Sequence, residues 1–100
     1  MLKNEPNQKW RVIAFRSDST RVTGDAANIT AKIAIDHGAL TPLTDTNPTE
    51  TEDGYYLFDL TQAETNGDVL ELYPESSTGD VLVLGDPPSV FTRPVIQRAY

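Results

Sequence analysis

The chain has 100 residues, eight of them aromatic, no cysteine, and 15 acidic against 8 basic residues, for a net charge of −7. That length suits one domain around one core and is too short for two, and the lack of cysteine excludes a disulfide framework or a thiolate zinc site. No stretch approaches the ~20 apolar residues that span a bilayer, and Met1–Lys9 lacks the apolar centre of a signal peptide, so a soluble, non-secreted protein without a membrane partner is expected.

Charge is distributed unevenly. Six of the eight basic residues (Lys3, Lys9, Arg11, Arg16, Arg21 and Lys32) fall in the first third, Arg93 and Arg98 in the last eight residues, and none between Ala34 and Thr92. An acidic body between basic ends repels phosphate and argues against nucleic acid as a partner. It suits solubility through net charge, or head-to-tail packing of basic ends on the acidic bodies of neighbouring copies.

Taken in chain order, Trp10–Arg16 alternates as a first strand and ends at the turn cluster Ser17-Asp18-Ser19-Thr20. Thr23-Gly24-Asp25 is a turn. Asn28–Asp36 has clean period-two alternation, with Ile29, Ala31, Ile33 and Ile35 on one face and Thr30, Lys32, Ala34 and Asp36 on the other. After the Asp36-His37-Gly38 turn, Leu40–Thr51 reads as a long loop or a poor edge strand, because Pro42 and Pro48 cannot donate to a ladder. Asp53-Gly54 turns into a strand over Tyr55–Leu60. Further strands are expected over Val69–Tyr73 and Val81–Leu84, separated by Pro74–Gly79, with a short last one over Ser89–Thr92.

About seven short strands with turn signals every ten residues or so predict an all-β antiparallel sandwich, not βαβ units. One short helical turn is expected near Gln62–Asn66. Thr61-Gln62-Ala63-Glu64 matches a capping box, and Gly67 stands where a left-handed helix-ending residue is wanted. A two-residue hairpin at Asn66-Gly67 is the rival reading, disfavoured because Gln62-Ala63-Glu64 is poor strand material. Asp53-Gly54-Tyr55-Tyr56 is similar to the tyrosine corner of sandwich folds, in which a tyrosine hydroxyl folds back onto main chain, without showing which tyrosine serves. Both phases of this strand are apolar: Tyr56, Phe58 and Leu60 on one side, Tyr55 and Leu57 on the other. The strand is therefore either covered twice or offers a face to a partner.

Signals for chemistry are sparse. His37 is the only histidine and sits in a turn, with no ligand set for zinc around it. No Gly-x-Ser-x-Gly elbow or phosphate loop is present. The carboxylates lie mostly in turns, where they cap backbone groups. Asp45-Thr46-Asn47 with Glu52 or Asp53 offers oxygen ligands for calcium, though without EF-hand spacing. Asn28-Ile29-Thr30 is a formal glycosylation sequon inside an expected strand. Of the aromatics that could stack on a glycan (Trp10, Tyr55, Tyr56, Tyr73 and Tyr100), Trp10 is expected in the core and Tyr73, before Pro74, at the surface. No enzyme activity and no cofactor are expected.

Three segments carry a family resemblance: Val22–Ile33, then Asn47-Pro48-Thr49-Glu50 with Gly54–Asn66, and more weakly Pro74-Glu75-Ser76-Ser77 with Val81 and Val83. Across residues 9–92 the chain resembles small immunoglobulin-like domains found in virion proteins of tailed bacteriophages. The resemblance implies an immunoglobulin-like sandwich over 9–92, and the sequence on either side reads as an N-terminal arm over 1–8 and a C-terminal tail over 93–100. The resemblance also implies a structural role in the virion, which would be assembled in the host cytoplasm, as a capsid decoration or cement protein or a tail, baseplate or fibre module. It carries no catalytic residues. The partners implied are other virion subunits, such as the major capsid protein, or further copies of the chain, with a host glycan as the alternative. Leu2, Tyr55, Tyr73, Val95, Ile96 and Tyr100 are the candidate contact residues, because both ends hold a few apolar residues suited to ordering on a neighbour.

Overall fold

The computed structural model describes residues 1–86 and 89–93. Two antiparallel four-stranded sheets enclose one apolar core, the β-sandwich that the strand spacing predicts. In chain order the strands are β1 (Gln8–Phe15), β2 (Ile29–Ile35), β3 (Thr41–Pro42), β4 (Thr49–Glu52), β5 (Tyr55–Leu60), β6 (Val69–Ser76), β7 (Leu82–Asp86) and β8 (Ser89–Phe91), with a 3-10 turn over Ala26–Asn28. The first sheet runs β4-β5-β1-β7 and the second β3-β2-β6-β8.

Alternation places the core. Trp10, Val12 and Ala14 of β1, Tyr56, Phe58 and Leu60 of β5, and Val83 of β7 point inward from the first sheet. Ile29, Ala31 and Ile33 of β2, Leu70 and Leu72 of β6, and Val90 of β8 meet them from the second. Trp10, 2% exposed, packs on Phe58 with ring centroids 5.8 Å apart. Each large apolar side chain among them contributes roughly 1.5–3 kcal/mol of burial, so this shared interior holds the two sheets together.

Several elements depart from the sequence expectation for identifiable reasons. β6 continues through Pro74 to Ser76. Pro74 lies opposite Ala31, whose carbonyl accepts from Leu43 on the far side of β2. By antiparallel alternation Pro74's missing N–H points away from β2, so the proline costs no bond there. The stretch 40–51 contributes two short edge strands: β3 pairs with β2 for two residues, and β4 pairs with β5 through a bulge between Glu50 and Glu52. The 3-10 turn at Ala26–Asn28 lacks the periodicity that sequence reading relies on, and Asn28 begins no strand.

The corner after β5 forms the predicted capped turn. The Glu64 N–H donates to Thr61 Oγ1 at 3.2 Å, and the Thr61 N–H donates back to Glu64 Oε1 at 2.8 Å. Thr65 N–H reaches the carbonyls of Thr61 and Gln62, and Asn66 N–H that of Ala63. Gly67 has a different reason than the one its position suggests. It does not adopt positive φ; a Cβ there would stand 2.4 Å from Ile35 Cγ2. Close approach of the chain to Ile35 and Asp36 is what requires glycine.

The 1–8 segment is fastened to the body. Asn4 N–H donates to the Thr65 carbonyl, Glu5 N–H to Thr65 Oγ1, and Thr65 Oγ1 to the Glu5 carbonyl. Leu2 bridges Arg93 in parallel, and Lys3 pairs with Asp68 at 2.8 Å. The sequence expectation is an arm that orders on a neighbour, whereas much of this main chain is already committed within the subunit.

Candidate functional site: the outer face of the first sheet

Cross-strand register fixes what the first sheet shows to the outside, because paired residues of neighbouring strands share a face. Ile13 of β1 pairs with Tyr55 of β5 on one side and Leu84 of β7 on the other. One row along, Phe15 pairs with Leu82, and Arg21 bridges to Phe15 from the opposite side. In the other direction Arg11 pairs with Leu57. Leu57, Tyr55, Ile13, Phe15, Leu84 and Leu82 therefore form one contiguous apolar patch on the solvent side of the sheet. Leu82 and Leu84 are 52% and 56% exposed, and the other four are half-buried. These six side chains adjoin on a single sheet face, unlike scattered surface leucines.

The patch is held rigidly from beneath and at its rim. Tyr56, the inward neighbour of Tyr55, is fully buried; its hydroxyl donates to the Val22 carbonyl at 2.7 Å and accepts from the Asp25 N–H at 3.1 Å. Burial pushes that hydroxyl's pKa up, so it remains a proton donor across the physiological range. Tyr56 is the tyrosine that ties the corner, and it does so over 34 residues of chain instead of to nearby main chain. Asp53 and Gly54 both take positive φ (43° and 84°), the conformation of a tight hairpin turn between β4 and β5. Glycine is needed at 54 twice over, since a Cβ would meet Arg21 Cβ at 3.0 Å. The turn places the Asp53 carbonyl to accept from Arg21 Nη1 at 3.2 Å, which sets the guanidinium 4.9 Å from the Tyr55 ring centroid. Arg11, Arg21 and Glu52 border the apolar centre, and Lys9 pairs with Asp59 on β5 beyond Arg11.

The outer face of the second sheet is mainly polar, apart from Phe91 on β8, 74% exposed and paired with Val69. Thr30, Lys32, Glu71, Tyr73 and Glu75 point outward there. His37 Nδ1 lies 2.7 Å from Glu71 Oε1, and Tyr73 donates to Glu71 Oε2 at 3.2 Å, with the adjacent carboxylate raising the Tyr73 pKa. The His37 side chain is 74% exposed and Tyr73 47%, so water and screening reach the whole group.

The candidate contact residues thus divide. Tyr55 belongs to the apolar patch, Tyr73 to the opposite face, and Leu2 to the clasp between the N-terminal segment and Arg93. Val95, Ile96 and Tyr100 lie outside the described residues. Trp10 is a core residue, as expected. Of the calcium candidates, Asp45 accepts from the Asp59 N–H, and the Asn47 amide donates to the carbonyls of Ala27 and Ile29. No three metal-ligating side chains converge among the described residues. Sequence reading missed Ile13, Phe15, Leu82 and Leu84. The available signal was apolar character in both phases of Val12-Ile13-Ala14-Phe15 and Val81-Leu82-Val83-Leu84. Only strand pairing shows that their outward members meet Tyr55 and Leu57.

Compared with known proteins, the chain matches no family model, no curated protein and no solved structure.

Proposed function

We propose that this chain is a non-enzymatic structural component of a phage virion, a capsid decoration or cement module that works by packing the outer face of its first sheet onto a virion subunit. The observation that carries the reading is the patch Leu57, Tyr55, Ile13, Phe15, Leu84 and Leu82, which leaves a two-sided apolar sheet uncovered on one side. An interface core of aromatic and aliphatic side chains with an arginine rim is the usual anatomy of a protein–protein contact. The phage assignment rests on the sequence resemblance of residues 9–92 to virion immunoglobulin-like domains. Placement on the capsid surface, in place of the tail, baseplate or fibre, follows from how well a small domain with one adhesive face suits many-copy binding to a shell.

Co-sedimentation with purified capsids tests this reading. The unaltered chain is expected to pellet with the particles, and Leu84→Glu, at an exposed position, to release it with the circular dichroism spectrum unchanged. Equal binding by wild type and Leu84→Glu would sink the packing role of this face. Glycan binding that Tyr73→Ala abolishes would instead favour a carbohydrate-binding module on the polar face.

A further inference from the structure

In the free chain the apolar patch of the first sheet lies in water, and its own pattern selects what covers it. Ile13 is at the centre, with Tyr55 of β5 and Leu84 of β7 as register partners on either side. One row along, Phe15 stands between Arg21 and Leu82 in the same way. The β7 side forms a ridge: Leu82 and Leu84 are 52% and 56% exposed, whereas the rest of the patch is half-buried. The β5 side borders a hollow of about 450 Å³ lined by Arg11, Thr51, Glu52 and Tyr55. Leu84 and Tyr55 are thus each one strand spacing, about 4.8 Å, from β1, on opposite sides of it.

We infer that the free chain forms a twofold dimer through this face, with Leu84 of each copy seated on Tyr55 of the other, beside the hollow. A twofold contact requires a surface complementary to itself, in which a residue i meets j and j meets i. An axis parallel to β1 and passing above Ile13 exchanges the β5 and β7 sides of the patch. It carries Leu84 over Tyr55 and Leu82 over the aliphatic stem of Arg21, each contact made twice, while Ile13 and Phe15 meet their own counterparts near the axis. The strands of the two faces then run nearly aligned, as in the packing of one sheet on another within a sandwich.

Charge admits a second copy at this face more readily than elsewhere. On the face and its rim three basic residues, Lys9, Arg11 and Arg21, stand against four acidic ones, Glu52, Asp53, Asp59 and Asp86. The remaining sequence holds five basic and eleven acidic residues, so two copies of charge −7 repel least when these faces meet. Arg11 of each copy nears its counterpart at the axis, and Glu52 on the same hollow offsets that like charge. Size sets the strength. The six apolar residues cover three strands, about 10 Å, by four residue steps, about 13 Å. That footprint falls well short of the ~800 Å² per partner of standard interfaces, so the dimer is weak and reversible. It shields the patch in the free chain and yields to a surface that binds more tightly.

The test is read on the chain alone, without any capsid. In sedimentation equilibrium the chain is expected to form a dimer and nothing larger, with a dissociation constant on the order of 0.1–1 mM. Leu84→Glu should weaken that association by roughly tenfold or more, and added salt should strengthen it in the unaltered chain by screening two like-charged copies from one another. In a mixture of isotope-labelled and unlabelled chain, half-filtered NOE spectra should place the Leu84 methyls against the Tyr55 ring. Within one copy the two residues are two strand spacings, about 10 Å, apart, so this signal reports the dimer. A chain that stays monomeric at about 2 mM, a dimer that Leu84→Glu leaves unchanged, or contacts between copies that exclude the Leu84–Tyr55 pair would each overturn the inference. Capsid binding by a chain that stays monomeric removes the dimer and leaves the packing role standing; a dimer that ignores capsids does the reverse.

Discussion

Tyr56 shows how a single side chain can decide the corner. Its hydroxyl serves a carbonyl and an N–H that are both shut off from water, at Val22 and Asp25. Tyr56→Phe should therefore lower unfolding stability by about 1–3 kcal/mol, the cost of leaving buried partners unpaired, read from the urea midpoint at constant m-value. Carboxylates do comparable work nearby. Burial acts to raise the Asp25 pKa, but hydrogen bonds from Ser76, Thr78 and Asn28 outweigh it and hold the group below its ordinary value. Asp36 is lowered by the backbone N–H groups of Val69 and Asp68. A folded-state pKa below the unfolded one gives stability that is present above the unfolded value of about 3.9 and lost as pH falls through the folded value. The urea midpoint should accordingly be flat from about pH 7 to 5 and drop below about pH 4. Asp36→Asn, which tolerates the positive φ at this turn, should make that acid drop shallower; an unchanged acid limb would count against the Asp36 contribution.

At the scale of elements, the capped turn after β5 was legible because its chemistry is local: Thr61 and Glu64 satisfy one another within one turn. Its second function was not legible. Glu64 Oε2 also accepts from the Thr44 N–H, so the carboxylate pins the loop between β3 and β4 to the corner. Thr61→Ala is expected to cost about 1 kcal/mol. Glu64→Ala, which frees two N–H groups, should cost more, and equal losses in thermal or urea unfolding would show the Thr44 bond to be idle. Strand existence followed from alternation, but strand limits did not. β6 passes through Pro74 because the proline falls at a register position whose N–H is not used by β2, and register belongs to the pair of strands, not to one segment. The edges β3 and β4 escaped a firm reading for the same reason: two- and four-residue strands exist only through their partners.

At the scale of the molecule, the two outer faces differ, with six adjoining apolar residues and an arginine border on one sheet, and on the other mainly polar residues, among them Glu71, Glu75 and Lys32, beside a single exposed Phe91. Under the proposed packing role, desolvation on contact favours the first sheet as the contact side. Ile13→Lys, at the centre of the patch, is expected to abolish particle association while changing the thermal midpoint by a few degrees at most, since the residue faces outward. Loss of binding without loss of fold checks the face; retained binding removes it as the site.

By itself the sequence determined the sandwich class, the inward phase of β2, the capped corner and the Asp53-Gly54 turn. Each of these rests on period-two burial or on hydrogen bonds closed within a few residues. Tertiary structure decided which tyrosine ties the corner and why Gly67 is glycine. It also decided that Ile13, Phe15, Leu82 and Leu84 join Tyr55 and Leu57 in one surface. All of these depend on which strands become neighbours and in what register, a choice made by the shared core and not by any one segment.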